Sequence, residues 1–324
     1  MKNHKMIPAS LRVAVVILVS ALFAAACAKK ESQASFNSPE EAVTAFVVAL
    51  QKDDTVALRN LLGPGTDDLL SSGDAVADNA AREWFVSAYN AKHSLDADGT
   101  DKMTLSVGVG DDAWPMPIPV VKRDGKWHLD GDAGADELVY RRVGSNELGA
   151  IDVCRGFVSA QLEYAAQGHD GDPAGIYALK LISDEGMQNG LFWETTADQP
   201  ASPAGPFVAA AAAEGYRAAE SGGRKPYHGY YYRMLYAQGA NANGGARDYF
   251  KSGVMTQGFA LLAWPAEYGS SGVQTFIVNQ DGVVFQKDLG EDTAKAVDSI
   301  QGFDPDSSWI AIAPPAEEPA APAG

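Results

Sequence analysis

The chain is poor in sulfur, in histidine and in positive charge. Its 324 residues include 2 cysteines and 5 histidines. Cys27 stands at the end of an N-terminal apolar run, so Cys154 has no second thiol in the body of the chain. An internal disulfide there is excluded, and the fold must rest on an apolar core. His4, His93, His128, His169 and His228 are scattered, and none forms a metal-binding spacing such as H-E-x-x-H. The reading is no metal and no cofactor. Lys and Arg number 25 against 42 Asp and Glu, a net charge of −17. With no long basic cluster to offset it, that charge excludes nucleic acid as a partner and disfavours an anionic lipid surface. Long apolar runs are also missing. The one strong run, Val13 to Phe23, is short for a membrane span.

What is present begins with that run. Lys2, Lys5 and Arg12 precede it, and Ala24-Ala25-Ala26-Cys27 follows. Residues 1–26 read as a secretory signal. The small residues before Cys27 resemble a bacterial lipoprotein box, with Ala24 in place of the usual leucine. The resemblance implies acylation of Cys27 and a membrane partner reached through the N-terminal lipid. Ala28 and Lys29 lack the aspartate of inner-membrane retention, which points to the outer membrane, facing the periplasm. Removing the three basic residues of the signal takes the net charge from −17 to −20. Residues 27–35 read as a polar tether. Residues 311–324 form a tail rich in proline and alanine with no apolar period, the composition of a disordered segment.

Between the ends the pattern is α+β, in two helix-plus-antiparallel-sheet domains over residues 36–140 and 141–310. In the first, Ser38, Pro39 and Glu41 make a helix start. Val43, Phe46, Val47 and Leu50 then share a face. "TVALRNLL" is a second helix, stopped by Gly63-Pro64. "AAREWFVSAYNA" is a third, with Ala81, Trp84, Phe85 and Ala88 on one stripe. "KMTLSVGV" and "PMPIPVVKRDGKWHLDG" follow as strands, with Asp124-Gly125 as a tight turn. The polar segment "DELVYRRVGSNE" leads to the second domain. There "NELGAIDVCRGFVSAQLEYAAQG" is helical, with Ala150, Cys154, Phe157 and Tyr164 on its apolar stripe. An irregular stretch from Gly168 to Pro206 and a helix, "FVAAAAAEGY", come next. In "PYHGYYYRMLYAQG" the extended chain turns Tyr230, Tyr232, Met234 and Tyr236 one way and Tyr231, Arg233 and Leu235 the other. That suits a central or near-central strand covered on both faces. "GFALLAWPAEYG" and "VQTFIVNQDGVVFQKDLG" supply the remaining strands.

Three resemblances rest on these segments. The helices-then-hairpin order of the first half, with "VVKRDGKW", looks like the cone-shaped domains related to nuclear transport factor 2. "SPEEAVTAFVVALQKDD", "SSGDAVAD", "RRVGSNELGAIDVCRGFVSAQLEYA", "PYHGYYYRMLYAQG", "GFALLAWPAEYGSSGVQTFIVNQDGVVFQKDLG" and "FDPDSSW" together resemble the bacterial exported family bearing the domain of unknown function 2950. The second half, from "NELGAIDVCRGFVSAQLEYAAQ" to "TFIVNQDGVVFQ", resembles the soluble domain of type IV pilins and pseudopilins. A pilin helix continues from an apolar half, whereas this one follows a polar segment, so ordinary filament assembly is not implied.

Tested for chemistry, the motifs thin out. Ser270-Ser271 in "YGSSGV" lacks the G-x-S-x-G elbow and reads as a turn. "DADGTD" and "HDGDP" do not complete an EF-hand loop. Glu163, Asp184, Glu185 and Glu194 supply carboxylates that the sequence cannot pair across a cleft. The candidate binding surface is Phe192 and Trp193 in the long loop, with Tyr227, His228 and Tyr230 at the start of the tyrosine strand. The expectation is a lipid-anchored periplasmic binding or assembly module with a cell-envelope protein or glycan partner. The alternative is a cell-envelope hydrolase with a site near His228 and the Trp193 loop.

Overall fold

Ser38 starts the first helix through its side chain, which accepts a hydrogen bond from the Glu41 N–H at 3.2 Å. The Glu41 carboxylate in turn accepts from the Asn37 N–H at 3.0 Å. The computed structural model describes residues 33–110, 113–195, 201–206 and 225–313. Its first helices are α1 (Pro39–Gln51), α2 (Thr55–Leu62), α3 (Asp67–Leu70) and α4 (Ala75–Ala91). Five strands follow: β1 (His93–Ala97), β2 (Lys102–Val107), β3 (Trp114–Pro115), β4 (Val120–Arg123) and β5 (Lys126–Leu129). They make one antiparallel sheet in the order β1-β2-β4-β5, with β3 also on β2. The turn joining β4 to β5 places Asp124 at φ 52° and Gly125 at φ 76°, the left-handed pair that a two-residue hairpin demands. Phe46, Val47 and Phe85 from the helices and Leu105, Val120 and Leu129 from the strands form a first core.

A single helix, α5 (Gly131–Ala165), then runs for 35 residues, about 52 Å at the usual rise. It includes the polar segment that the sequence reading placed ahead of the second domain, and the expected boundary at 140/141 falls inside it. Polarity did not prevent helix formation there. The segment has no proline, and Glu137 pairs with Arg141 one turn on at 2.8 Å, a spacing that supports a helix. Gly134 lets α5 approach the first unit closely, since a Cβ there would lie 2.5 Å from the Pro117 backbone. The first half of α5 thus rests on the first core. The second half carries Ala150, Cys154, Phe157 and Tyr164 into a second core.

The loop after α5 holds one parallel pair, β6 (Lys180–Ile182) with β7 (Gly190–Phe192). Next come β8 (Tyr230–Leu235) and two short ribbons, β9 (Ala237–Gln238) with β10 (Arg247–Asp248) and β11 (Phe250–Lys251) with β12 (Val254–Met255). The strands β13 (Ala260–Pro265), β14 (Gln274–Asn279), β15 (Phe285–Asp288) and β16 (Ile310–Ala311) complete an antiparallel sheet in the order β16-β15-β14-β13-β8. Among the described residues the tyrosine strand β8 is therefore at the edge of this sheet, not central. The chain leaves it through the small ribbons and returns on one side only, as β13. Both faces of β8 are covered nevertheless. Tyr230 and Met234 are buried in the core formed with α5. On the opposite face Arg233 donates to the Val297 and Ile300 carbonyls at 2.6 and 2.8 Å. Those carbonyls belong to the segment around α6 (Thr293–Ala296) and a single 3-10 turn, Val297–Ser299.

The described residues thus form an α+β protein, with helices packed on two antiparallel sheets. No helix among them is long and apolar enough to cross a membrane. The signal region with Cys27, the helix expected at "FVAAAAAEGY" and most of the proline-alanine tail lie outside the described residues.

Candidate functional site

The site is built from the start of the tyrosine strand. Tyr227 and Tyr230 exchange backbone hydrogen bonds at 2.8 and 3.1 Å, closing a two-residue turn over His228 and Gly229. His228 has φ 49° and Gly229 φ 71°, so the turn is of the primed type that usually takes Asn-Gly. Histidine tolerates the left-handed region better than most residues. Gly229 cannot be replaced without conflict, because a Cβ there would overlap the Asn146 carboxamide.

This turn meets three other segments. Asp74 caps α4 with one carboxylate oxygen, accepting from the Val76 and Ala77 N–H groups, and accepts the Gly229 N–H at 2.9 Å with the other. Asn146 on α5 donates to the Ser271 carbonyl at 2.9 Å. Glu147 accepts from the Val273 and Gln274 N–H groups at 2.9 and 3.0 Å. Arg142 donates to the Ser270 carbonyl and hydroxyl, both at 2.9 Å, and to the Asp68 carbonyl at 2.5 Å. Burial lowers the basicity of the Arg142 guanidinium, against the opposing pull of Asp78, Asp68 and Glu267. The "YGSSGV" segment is thus a turn, as its spacing implied, and also a buried joint. Ser271 is fully buried and its hydroxyl donates to the Glu267 carbonyl.

Beside this joint lies a cavity of about 580 Å³, within the range of about 300–1,000 Å³ common for small-molecule sites. Its walls are largely apolar. Phe46, Leu58 and Leu62 line it from α1 and α2, Leu70 from α3, Phe85 and Trp84 from α4, and Met116 and Ile118 from the loop before β4. Its polar lining includes Asp78, Arg82, Arg142, Ser145, Asn146 and His228. Trp84, which helical periodicity assigned to the buried stripe, is 52% exposed. It meets Trp114 edge to face at 5.7 Å, and Arg141 lies over the Trp114 ring at 5.4 Å. Two of the charges have partners of known kind. Arg82 pairs with Asp53 at 2.9 Å, and Asp78 accepts from the Ser72 N–H and hydroxyl at 3.0 and 2.8 Å. Among the described residues no cluster of three His, Cys, Asp or Glu side chains could hold a metal ion.

The residues singled out from sequence divide among three environments. Tyr227 and His228 stand together, with ring centroids 4.1 Å apart, and His228 lines the cavity. Tyr230 is not part of any surface: it is 0% exposed and its hydroxyl donates to the Gln274 carbonyl at 2.9 Å. It is a core residue, because the face of β8 that carries it is pressed on α5. Phe192 lies in β7, and Trp193 packs near Tyr164 and His169, with centroids at 6.3 and 5.3 Å. His228 abuts Gly149, whose added Cβ would come within 3.3 Å of it, whereas Trp193 sits by Tyr164. Fifteen residues of helix separate these two points, about 22 Å. Among the described residues, His228 and Trp193 therefore stand at separate points along α5 rather than side by side. The sequence reading missed Arg142 and Asn146. Both sit in the polar segment taken as a lead-in, and only a helical wheel drawn through it would have put them on one face, four residues apart.

Fold and site together define an α+β protein with a largely apolar cavity whose lining includes a few polar groups. The profile of a protein family described as "Protein of unknown function (DUF2950)" matches residues 33–312, and the chain belongs to that family. No curated protein and no solved structure matches the chain.

Proposed function

We propose that this protein is an exported binding module that holds an apolar small molecule in the cavity beside α5, with the module tethered to the membrane through an acylated Cys27. The observation that carries the reading is the cavity itself. It is large enough for a ligand, lined by leucine, phenylalanine and tryptophan, and bounded by few polar groups, the usual make-up of a small-molecule site. The tether rests on the basic start, the apolar run and the small residues before Cys27.

An uncharged naphthylamine dye that brightens in apolar surroundings tests the cavity. The full chain should show a saturable increase in fluorescence, and Ala77→Leu, which fills part of the lining, should weaken it. A non-saturable signal, or one that Ala77→Leu leaves unchanged, overturns the reading. Growth with a fatty-acid analogue tests the tether: the wild-type chain should carry the label and Cys27→Ser should not.

A further inference from the structure

We infer that the cavity selects amphiphiles with a single negative head group, and that Arg142 is the residue that receives the head. The inference rests on the cavity-binding reading above and adds the class of ligand.

Charge provides the first argument. The chain as a whole is strongly acidic, at −17. Yet the charged groups lining the cavity are Arg82, Arg142 and Asp78, with His228 beside them. Two cations against one carboxylate make the lining itself less acidic than the chain as a whole. Asp78, Asp68 and Glu267 pull on Arg142 from nearby, and of these only Asp78 lines the cavity. The second argument is how the charges are used. Arg82 has its ion pair with Asp53. Arg142 makes none within 4 Å among the described residues. Its bonds go to neutral acceptors, the Asp68 carbonyl and the Ser270 carbonyl and hydroxyl. Those three bonds employ Nε and Nη2, which fixes the guanidinium in place. The Nη1 N–H groups donate to no described residue. A guanidinium held rigid by neutral partners, in the lining of an apolar cavity, suits a carboxylate or a comparable monoanion. The third argument is that the neighbouring polar groups, the Asn146 carboxamide and the Ser145 hydroxyl, can donate to the same anion. Arg142 is itself partly buried, so the attraction is weakened less there than at a fully exposed side chain.

Dodecanoate, dodecanol and dodecylamine share one tail and differ in the charge of the head. Each is titrated into the full chain below its micellar concentration, reading displacement of the naphthylamine dye. Dodecanoate should bind about tenfold more tightly than dodecanol, the ratio expected of one charge-assisted hydrogen-bonded pair, and dodecylamine more weakly than either. Arg142→Gln should remove most of the dodecanoate advantage and leave dodecanol affinity within about twofold. Since Arg142 also ties three segments together, the variant's dodecanol affinity reports whether the cavity survives. Should Arg142→Gln not fold, the wild-type ranking still decides. Equal binding of the acid and the alcohol, or preference for the amine, overturns the assignment of the head while leaving the cavity reading intact. Parallel loss of both ligands in a folded Arg142→Gln overturns the role of Arg142. Failure of the dye and all three amphiphiles to bind overturns both proposals together.

Discussion

The two cores of this protein use apolar side chains in opposite ways. The one around α5 and the second sheet is filled. Its strand β13 is buried at every position from Ala260 to Pro265, and the largest enclosed side chains include Tyr230, Tyr249, Phe259 and Phe276. Phe157 and Tyr177 meet Phe259 edge to face at 5.5 and 4.8 Å. The core around α1 and α4 is of similar chemistry but encloses a hollow. Its sheet has an exposed edge strand, β1, and its helices stand away from one another enough to leave about 580 Å³. The contrast teaches that apolar content does not report packing. A segment such as "PYHGYYYRMLYAQG" attracts attention for its aromatic rings and proves to be mostly structural. The plain leucines and alanines of α2 and α4 line the cavity.

The sharpest way to break this comparison is to truncate the filled core. Tyr230→Ala removes a fully enclosed ring and should cost about 3 kcal/mol or more. Tyr230→Phe, losing only the bond to the Gln274 carbonyl, should cost about 1 kcal/mol. Urea unfolding midpoints check both, and a wild-type midpoint for Tyr230→Ala would mean that the second core is looser than described.

Adding volume sharpens the contrast further. Ala263 is fully buried in the sheet beneath α5, so Ala263→Leu should cost about 1–3 kcal/mol through overpacking. Ala77→Leu puts the same methyl groups into the hollow and should be neutral or stabilising by about 0.5 kcal/mol. Paired thermal melts compare them. If both lose stability alike, the first core is as full as the second.

Alkali should attack the filled core next. Burial pushes the Cys154 thiol up to about 12, and the Tyr249 hydroxyl likewise to about 12. Burial also raises Tyr230. A group whose folded pKa is raised stabilises the fold fully below its unfolded value and loses that contribution as pH climbs toward the folded value. Stability should therefore hold to about pH 9 and fall by about 1 kcal/mol or more by pH 10.5. Denaturant midpoints across that range test it. The same burial should make Cys154 slow to react with thiol reagents at pH 8 in the native protein. Rapid labelling would contradict its enclosure.

The smallest effect expected is at the turn. His228→Asn supplies the residue that a primed turn favours but gives up the ring contact with Tyr227, and should cost at most about 1 kcal/mol. Gly229→Ala, which forces a Cβ toward Asn146, should be far worse. Equal tolerance of the two would mean that the turn does not bear on the joint with Asp74 and Asn146.

Much of the local structure was legible because it depends on neighbours in the chain. Ser38 with Glu41, Asp124 with Gly125, and the run "TVALRNLL" each announce a cap, a turn or a helix from residues a few places apart. The helical stripe of Cys154 and Phe157 was legible for the same reason. The α+β class follows from the order of such pieces. Other features had no local mark. Whether β8 is central or at an edge depends on which strand returns beside it. Whether "RRVGSNE" is a connector or the middle of a 35-residue helix depends on what it packs against, since its charges suit either.

Sequence alone determined the start of α1, the helix α2, the stripe of the second half of α5, the Asp124-Gly125 turn, the α+β order and the acidic balance, all of which follow from residue type and short spacing. Only the tertiary structure decided that Asp74, Arg142, Asn146, His228 and Ser270 meet. They come from positions up to about two hundred residues apart, and one long helix holds Arg142 and Asn146 where the segments around Asp74, Gly229 and Ser270 come together. Only the tertiary structure decided, too, that the hollow belongs to the first core. A cavity is space that the surrounding side chains fail to fill, and its size is set by how far rigid elements can approach one another. No stretch of sequence carries that distance.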